Sequence, residues 1–142
     1  MTDRAERAVR NLIESWSDRD QADVGAFLSD DAVFHNGPRG IYHGRDTVRA
    51  LFQRNLATPT WFGVDIHKVV SDGHTVMVER TDKMVLDGKQ IGMELVGVFD
   101  VDDEGRITRW REYYDFQSFQ EDLAAAGIAT RAPTERFDGD LL

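Results

Sequence analysis

Thr75-Val76-Met77-Val78-Glu79-Arg80-Thr81-Asp82-Lys83-Met84 has the alternation of a β-strand with two charges on the wrong side. Side chains of a strand point to its two faces in turn. One face collects Val76, Val78, Arg80, Asp82 and Met84; the other collects Thr75, Met77, Glu79, Thr81 and Lys83. The more apolar face, which should turn inward, therefore carries Arg80 and Asp82, roughly 7 Å apart along the strand. Charges are rarely buried unless paired, and buried titratable groups are where enzymes shift pKa values.

The same period of two runs outward from this stretch. Trp61–Val70, His74–Leu86, Gly92–Val101 and Arg106–Phe116 read as strands separated by Ser-Asp-Gly, Leu-Asp-Gly and Asp-Asp-Glu-Gly turns. Such turns join antiparallel neighbours in a meander. Upstream the period is helical: Ala5, Ala8, Val9, Leu12, Ile13 and Trp16 make one amphipathic face. A short helix with Val24, Phe27 and Leu28 is expected to end at Ser29-Asp30-Asp31, followed by a short strand over Ala32–Asn36 and a break at Gly37-Pro38-Arg39-Gly40. A helix after Gly44-Arg45-Asp46 buries Val48, Leu51 and Phe52, and a last helix carries Phe116, Phe119 and Leu123 and stops near Gly127. Helices followed by long antiparallel strands predict an α+β fold, with the helices on a strongly curved sheet that encloses a pocket. Residues 1–128 are expected to form one domain, and 129–142, which has no period, a flexible tail or an assembly arm. The strand over Gly92–Val101 is partly apolar in both phases, so its outer face is expected to pack on a second copy in a homodimer.

The chain has 142 residues, enough for one domain with a proper core. With 41% hydrophobic and 30% charged residues it has the composition of a globular protein rather than a disordered one. A net charge of −9 with no basic stripe argues against nucleic acid or an anionic membrane as partner. No apolar run approaches the length of a membrane span, and the polar N-terminus lacks a signal-peptide core, which makes a cytoplasmic location the expectation. Without cysteine there is no disulfide, thiol nucleophile or thiolate metal site.

The last strand repeats the anomaly. Thr108, Trp110, Glu112, Tyr114 and Phe116 share a phase, so Glu112 points inward among aromatics. Phe34 and Asn36 share a phase in the short strand, which adds an amide near the same cavity. An Arg between two carboxyls suits acid/base work: a dry pocket drives two carboxyl pKa values apart, and the cationic Arg can fork to both. The ionised carboxyl can take a proton from water while the protonated one gives a proton to a leaving oxygen, with no metal or cofactor. The competing reading is a structural Arg–carboxylate network that satisfies itself in the core, with Asn36 as a turn residue. Other chemistry lacks a pattern. His35, His43, His67 and His74 have no close ligand spacing, and no Gly-x-Ser-x-Gly elbow, Gly-x-Gly-x-x-Gly or P-loop motif is present.

The ordered set Asp31-Ala-Val-Phe-His-Asn-Gly-Pro38, Gly44-Arg-Asp46, Glu79-Arg-Thr-Asp82, Gly97-Val-Phe99 and Ile107-Thr-Arg-Trp-Arg-Glu-Tyr-Tyr-Asp115 resembles limonene-1,2-epoxide hydrolases. These belong to the cone-shaped superfamily of nuclear transport factor 2, ketosteroid isomerase and SnoaL-like polyketide cyclases. The resemblance spans roughly residues 5–125 and implies a mixed, mainly antiparallel sheet. It implies Glu112 as the water-activating base, Arg80 as the bridge between carboxyls, Asp82 as the acid that protonates the epoxide oxygen, and Asn36 as the amide that positions water. Met84, Leu95, Tyr114 and Phe119 match apolar pocket positions; Phe34, Trp16 and Ile13 are expected to border the same pocket. Two positions depart from the family: Phe34 stands where it has Tyr, and Glu112 where it has Asp. One water-holding hydroxyl is therefore missing unless Tyr42 or Tyr114 replaces it. The expected activity is hydrolysis of a small hydrophobic epoxide. A SnoaL-like cyclase, a ketosteroid-isomerase-like proton shuttle and a non-catalytic small-molecule binder remain the alternatives.

Overall fold

The computed structural model describes residues 2–18 and 22–128, so the expected tail over 129–142 lies outside the described residues. Helix α1 (Arg4–Ser15) begins where Asp3 accepts a hydrogen bond from the Glu6 amide at 2.7 Å, and it buries Ala5, Val9, Leu12 and Ile13. Asp3 also accepts from the Ser71 hydroxyl at 2.7 Å, which ties the helix start to the sheet. A 3₁₀ turn over Val24–Phe27 leads into β1 (Leu28–Asn36), a second 3₁₀ turn over Gly37–Arg39, β2 (Gly40–His43) and α2 (Arg45–Ala57). The long strands are β3 (Trp61–Ser71), β4 (Thr75–Leu86), β5 (Lys89–Val101) and β6 (Ile107–Tyr114), and α3 (Phe116–Ala125) closes the described fold.

The strand order is β2-β1-β6-β5-β4-β3. β3 to β6 form the expected antiparallel meander, while β1 joins β6 in parallel, so the sheet is mixed. The β4–β5 hairpin turns on Asp87-Gly88, both at positive φ (50° and 75°), the pairing that a two-residue turn requires. Register shifts between Ile66 and Lys68, between Leu28 and Val33, and between Asp100 and Val101 mark irregularities of the kind that bend a sheet. The helices pack on one side of this open, curved sheet, and Val76, Val78, Phe99 and Trp110 meet Val9 and Leu12 in the core. The fold is therefore the α+β cone expected. No helix among the described residues is long and apolar enough to cross a membrane.

Two local expectations need correction, and one strand is added. The helix expected through Leu28–Asp31 is a 3₁₀ turn that ends at Phe27, and those residues already belong to β1. Their polar side chains mimic a helix stop, but Leu28 pairs with Ile107 and its carbonyl accepts from Arg45. The break expected at Gly37-Pro38-Arg39-Gly40 is the 3₁₀ turn over Gly37–Arg39, but it is followed by an unexpected strand, β2, which hairpins onto β1 through Asn36–Gly40. Phe116 is the first residue of α3 rather than the end of β6, because Asp115 caps the helix by accepting from the Ser118 amide at 3.0 Å.

Candidate active site

Register decides which side chains meet. Across the sheet, Val78 of β4 pairs with Gly97 of β5, and Gly97 pairs with Glu112 of β6. For Arg80 to reach Glu112 it must cross β5, and Gly97 leaves the space. A Cβ on Gly97 would lie 2.6 Å from Arg80 Nη1 and 2.8 Å from Glu112 Oε2. Arg80 Nε donates to Asp82 Oδ1 at 2.9 Å and Nη2 to Oδ2 at 3.3 Å. Its other side donates from Nη1 to Glu112 Oε2 at 3.1 Å and from Nη2 to Oε1 at 2.5 Å. One guanidinium thus forks to two carboxylates, the geometry to which its planar donor set is suited. All three side chains are buried, with relative exposures of 1% for Arg80 and 6% for each acid. The Trp16 ring, 5.2 Å from the guanidinium carbon, covers the cation on a further side.

Burial dominates the electrostatics. Loss of water raises the Glu112 pKa above its ordinary 4.5, and the attraction of Arg80 only partly opposes this. For Arg80, burial favours the neutral form, but Glu112 and Asp82 reverse that, and the guanidinium is held firmly protonated. A buried carboxyl with a raised pKa is a stronger base once ionised.

The triad lies in the wall of a pocket with a cavity of about 240 Å³. Asn36 lines it, as do Trp16, Phe34, Met84, Leu95, Tyr114 and Phe119. Every residue expected from the sequence at this site is therefore brought together except Ile13. That side chain is buried in the core and borders a separate groove with Phe62 and Ile66, since three helical residues turn it about 60° from Trp16.

Asn36 sits beside Glu112 because parallel β1 pairs Asn36 with Glu112 and Phe34 with Trp110. The Tyr114 hydroxyl donates to Asn36 Oδ1 at 2.9 Å. Burial raises the Tyr114 pKa to about 12, so the phenol stays neutral and remains a donor. Asn36 Oδ1 keeps a second lone pair that can accept from a water held next to Glu112. Phe34 contributes no hydroxyl: its ring is packed against Trp110 at 4.7 Å and Phe52 at 5.1 Å. Tyr42 stacks on Phe34 at 6.2 Å and does not line the pocket, so the hydroxyl at this site comes from Tyr114.

Sequence reasoning missed the part of the wall made by α2 and the loop after it, including Phe52, Asn55 and Pro59, and also missed Arg39. Phe52 was legible as a buried helical position, but helical spacing could not tell that its neighbours face a cavity. Among the described residues, no three His, Asp or Glu side chains form a group suited to a metal ion.

Residues 3–124 match the family model of the limonene-1,2-epoxide hydrolase catalytic domain. Epoxide hydrolase EphG of Mycobacterium tuberculosis is 36% identical over 128 residues, which cover 89% of this chain and 84% of that protein. The solved structure of a limonene-1,2-epoxide-hydrolase-like epoxide hydrolase from M. tuberculosis superposes with a TM-score of 0.73 at 34% identity, covering 87% of this chain and 95% of that one. A SnoaL-like polyketide cyclase structure from Shewanella denitrificans superposes with a TM-score of 0.74 at 17% identity, covering 85% and 97%, a likeness of fold alone.

Proposed function

The chain belongs to the limonene-1,2-epoxide hydrolase family and is an epoxide hydrolase, and from that premise we propose that it opens a small hydrophobic epoxide by direct attack of water. The observation that carries the mechanism is the pair of buried carboxyls held on one guanidinium in the wall of the pocket. Glu112 is the general base. It takes a proton from a water held with Asn36, and the water oxygen bonds to an epoxide carbon as that carbon's bond to the ring oxygen breaks. Asp82 is the general acid and delivers its proton to the departing oxygen, so water and epoxide become a diol. Arg80 fixes the distance between the two acids and keeps compensating charge beside them as the proton moves. The proton gained by Glu112 and lost by Asp82 is re-equilibrated through solvent after the diol leaves. Leu95, Met84, Phe34 and Phe119 supply apolar walls that favour a hydrophobic substrate.

The resulting diol is measured for cyclohexene, limonene and styrene oxides with wild type, Asp82→Asn and Glu112→Gln. At least one epoxide is turned over by wild type, and both variants lose at least about 10²-fold in kcat. Full activity in both variants on such a substrate would remove the acid/base assignment.

The exposed outer face of the sheet supports a second proposal, a homodimer. Val70, Met77 and Tyr113 stand on that face with relative exposures of 57%, 49% and 54%. Met77 pairs with both Val70 and Val98, so the apolar groups are contiguous across β3, β4 and β5.

A further inference from the structure

Arg39 is the one cation of the pocket wall that Arg80 does not account for. It ends the short turn that begins at Gly37, directly after the water-positioning Asn36. That turn lies against Tyr114: Gly37 has φ +47°, and a Cβ there would meet Tyr114 Cε1 at 2.8 Å. The Arg39 guanidinium carbon stands 5.5 Å from the centre of the Phe116 ring, and Phe116 packs edge-on against Tyr114 at 6.3 Å. Stacking occupies the face of the guanidinium; one in-plane donor is directed at the Tyr114 oxygen, and the remaining N–H groups stay available to a ligand.

The two cations of the pocket wall differ in their charge pairing. Arg80 holds two carboxylates, whereas no Asp or Glu oxygen among the described residues lies within 4.0 Å of the Arg39 guanidinium. Arg80 does not serve a ligand in its place, since it is 1% exposed and four of its five N–H donors go to Asp82 and Glu112.

We propose that Arg39 binds an anionic substituent of the substrate, so that the preferred epoxide carries a carboxylate at the end that faces the Gly37–Arg39 turn. The inference rests on the hydrolase reading for the epoxide and on Arg39 alone for the acid. One exposed guanidinium matches a monoanion; a phosphate dianion calls for a second cation, and the described pocket wall offers none. Arg39 thereby selects substrates without taking part in bond breaking.

The test has two arms. In the first, calorimetry compares cyclohexanecarboxylate with cyclohexanecarboxamide on wild type, Arg39→Gln and Arg39→Lys. Wild type is expected to bind the acid about fivefold or more tightly than the amide, the Gln variant to lose that preference, and the Lys variant to keep part of it. In the second, kcat/KM is measured for 3,4-epoxycyclohexanecarboxylate and its methyl ester, and the acid-to-ester ratio falls about fivefold or more in Arg39→Gln. Equal wild-type affinity for acid and amide, or equal weakening of both by Arg39→Gln, overturns the proposal and leaves Arg39 as a clamp on Phe116. The binding arm needs no turnover, so hydrolysis of neither epoxide would count against the hydrolase reading while calorimetry still decides the role of Arg39.

Discussion

Gly97→Ala adds one methyl group at the point where three parts of the site converge. The new Cβ would stand 2.6 Å from Arg80 Nη1, 2.8 Å from Glu112 Oε2 and 2.8 Å from Phe99 Cε2. Comfortable contacts begin near 3.5 Å, so each neighbour must retreat by roughly 0.7–0.9 Å. Phe99 has no room to do so, being fully buried with its ring 5.2 Å from Trp110. The displacement therefore falls on the Arg80–Glu112 contact. A misplacement of that size costs about 10²-fold in rate, and overpacking costs about 1–3 kcal/mol, or roughly 3–9 °C in Tm for a domain of this length. Initial rates on any epoxide that is turned over, paired with circular-dichroism melts, measure both effects. Gly92→Ala on the same strand is the control, since a Cβ there meets only Thr81 Cγ2 at 3.7 Å. A folded Gly97→Ala protein with wild-type kcat/KM would refute the claim that close approach at Gly97 sets the geometry of the acid/base pair.

Further expectations follow from the same geometry. Because burial raises the Glu112 pKa, and Glu112 must be ionised to act as base, kcat/KM rises with pH along a limb centred above 4.5; a rate that falls through that limb would make Glu112 the proton donor instead. The same shift gives a stability contribution that is present below the ordinary carboxylate range and is lost as pH rises through the folded pKa, so Glu112→Gln should flatten this dependence in urea titrations between the two pKa values. Tyr114→Phe frees Asn36 from its hydroxyl partner and is expected to lower kcat about tenfold or more with little change in KM, whereas an unchanged kcat would show that the hydroxyl does not position water. Met77→Glu places a charge on the outer sheet face and should halve the mass seen by light scattering; a wild-type protein that is already monomeric would end the dimer proposal.

What could be read in the sequence were the places where local pattern and tertiary environment conflict. Arg80 and Asp82 fall in phase with Val76 and Val78, which are fully buried, so their burial followed from alternation alone. Glu112 was legible for the same reason, between Trp110 and Tyr114. The turn Asp87-Gly88 likewise announced the central hairpin. Less legible was whatever depends on partners distant in sequence. Ser29-Asp30-Asp31 reads as the end of a helix until its parallel neighbour β6 is known, and β2 is too short to show a period. Phe116 continues the alternation of β6, and only the cap made by Asp115 turns it into helix. Strand phase and the resemblance both suggested Asn36, but the position of its amide beside Glu112 comes from a parallel pairing that local alternation cannot reveal. Arg39 carried no signal, because a charged residue in a Gly-Pro-containing turn is ordinarily solvated surface.

The direct-water mechanism is tested most sharply by one turnover in oxygen-18 water, with enzyme in excess over an epoxide it hydrolyses. Attack by a water that Glu112 activates puts the label into the diol in that first turnover. Unlabelled diol in the first turnover, with label entering one carboxyl of the protein, would mean that Glu112 or Asp82 attacks the epoxide itself through a covalent ester, and would contradict the account.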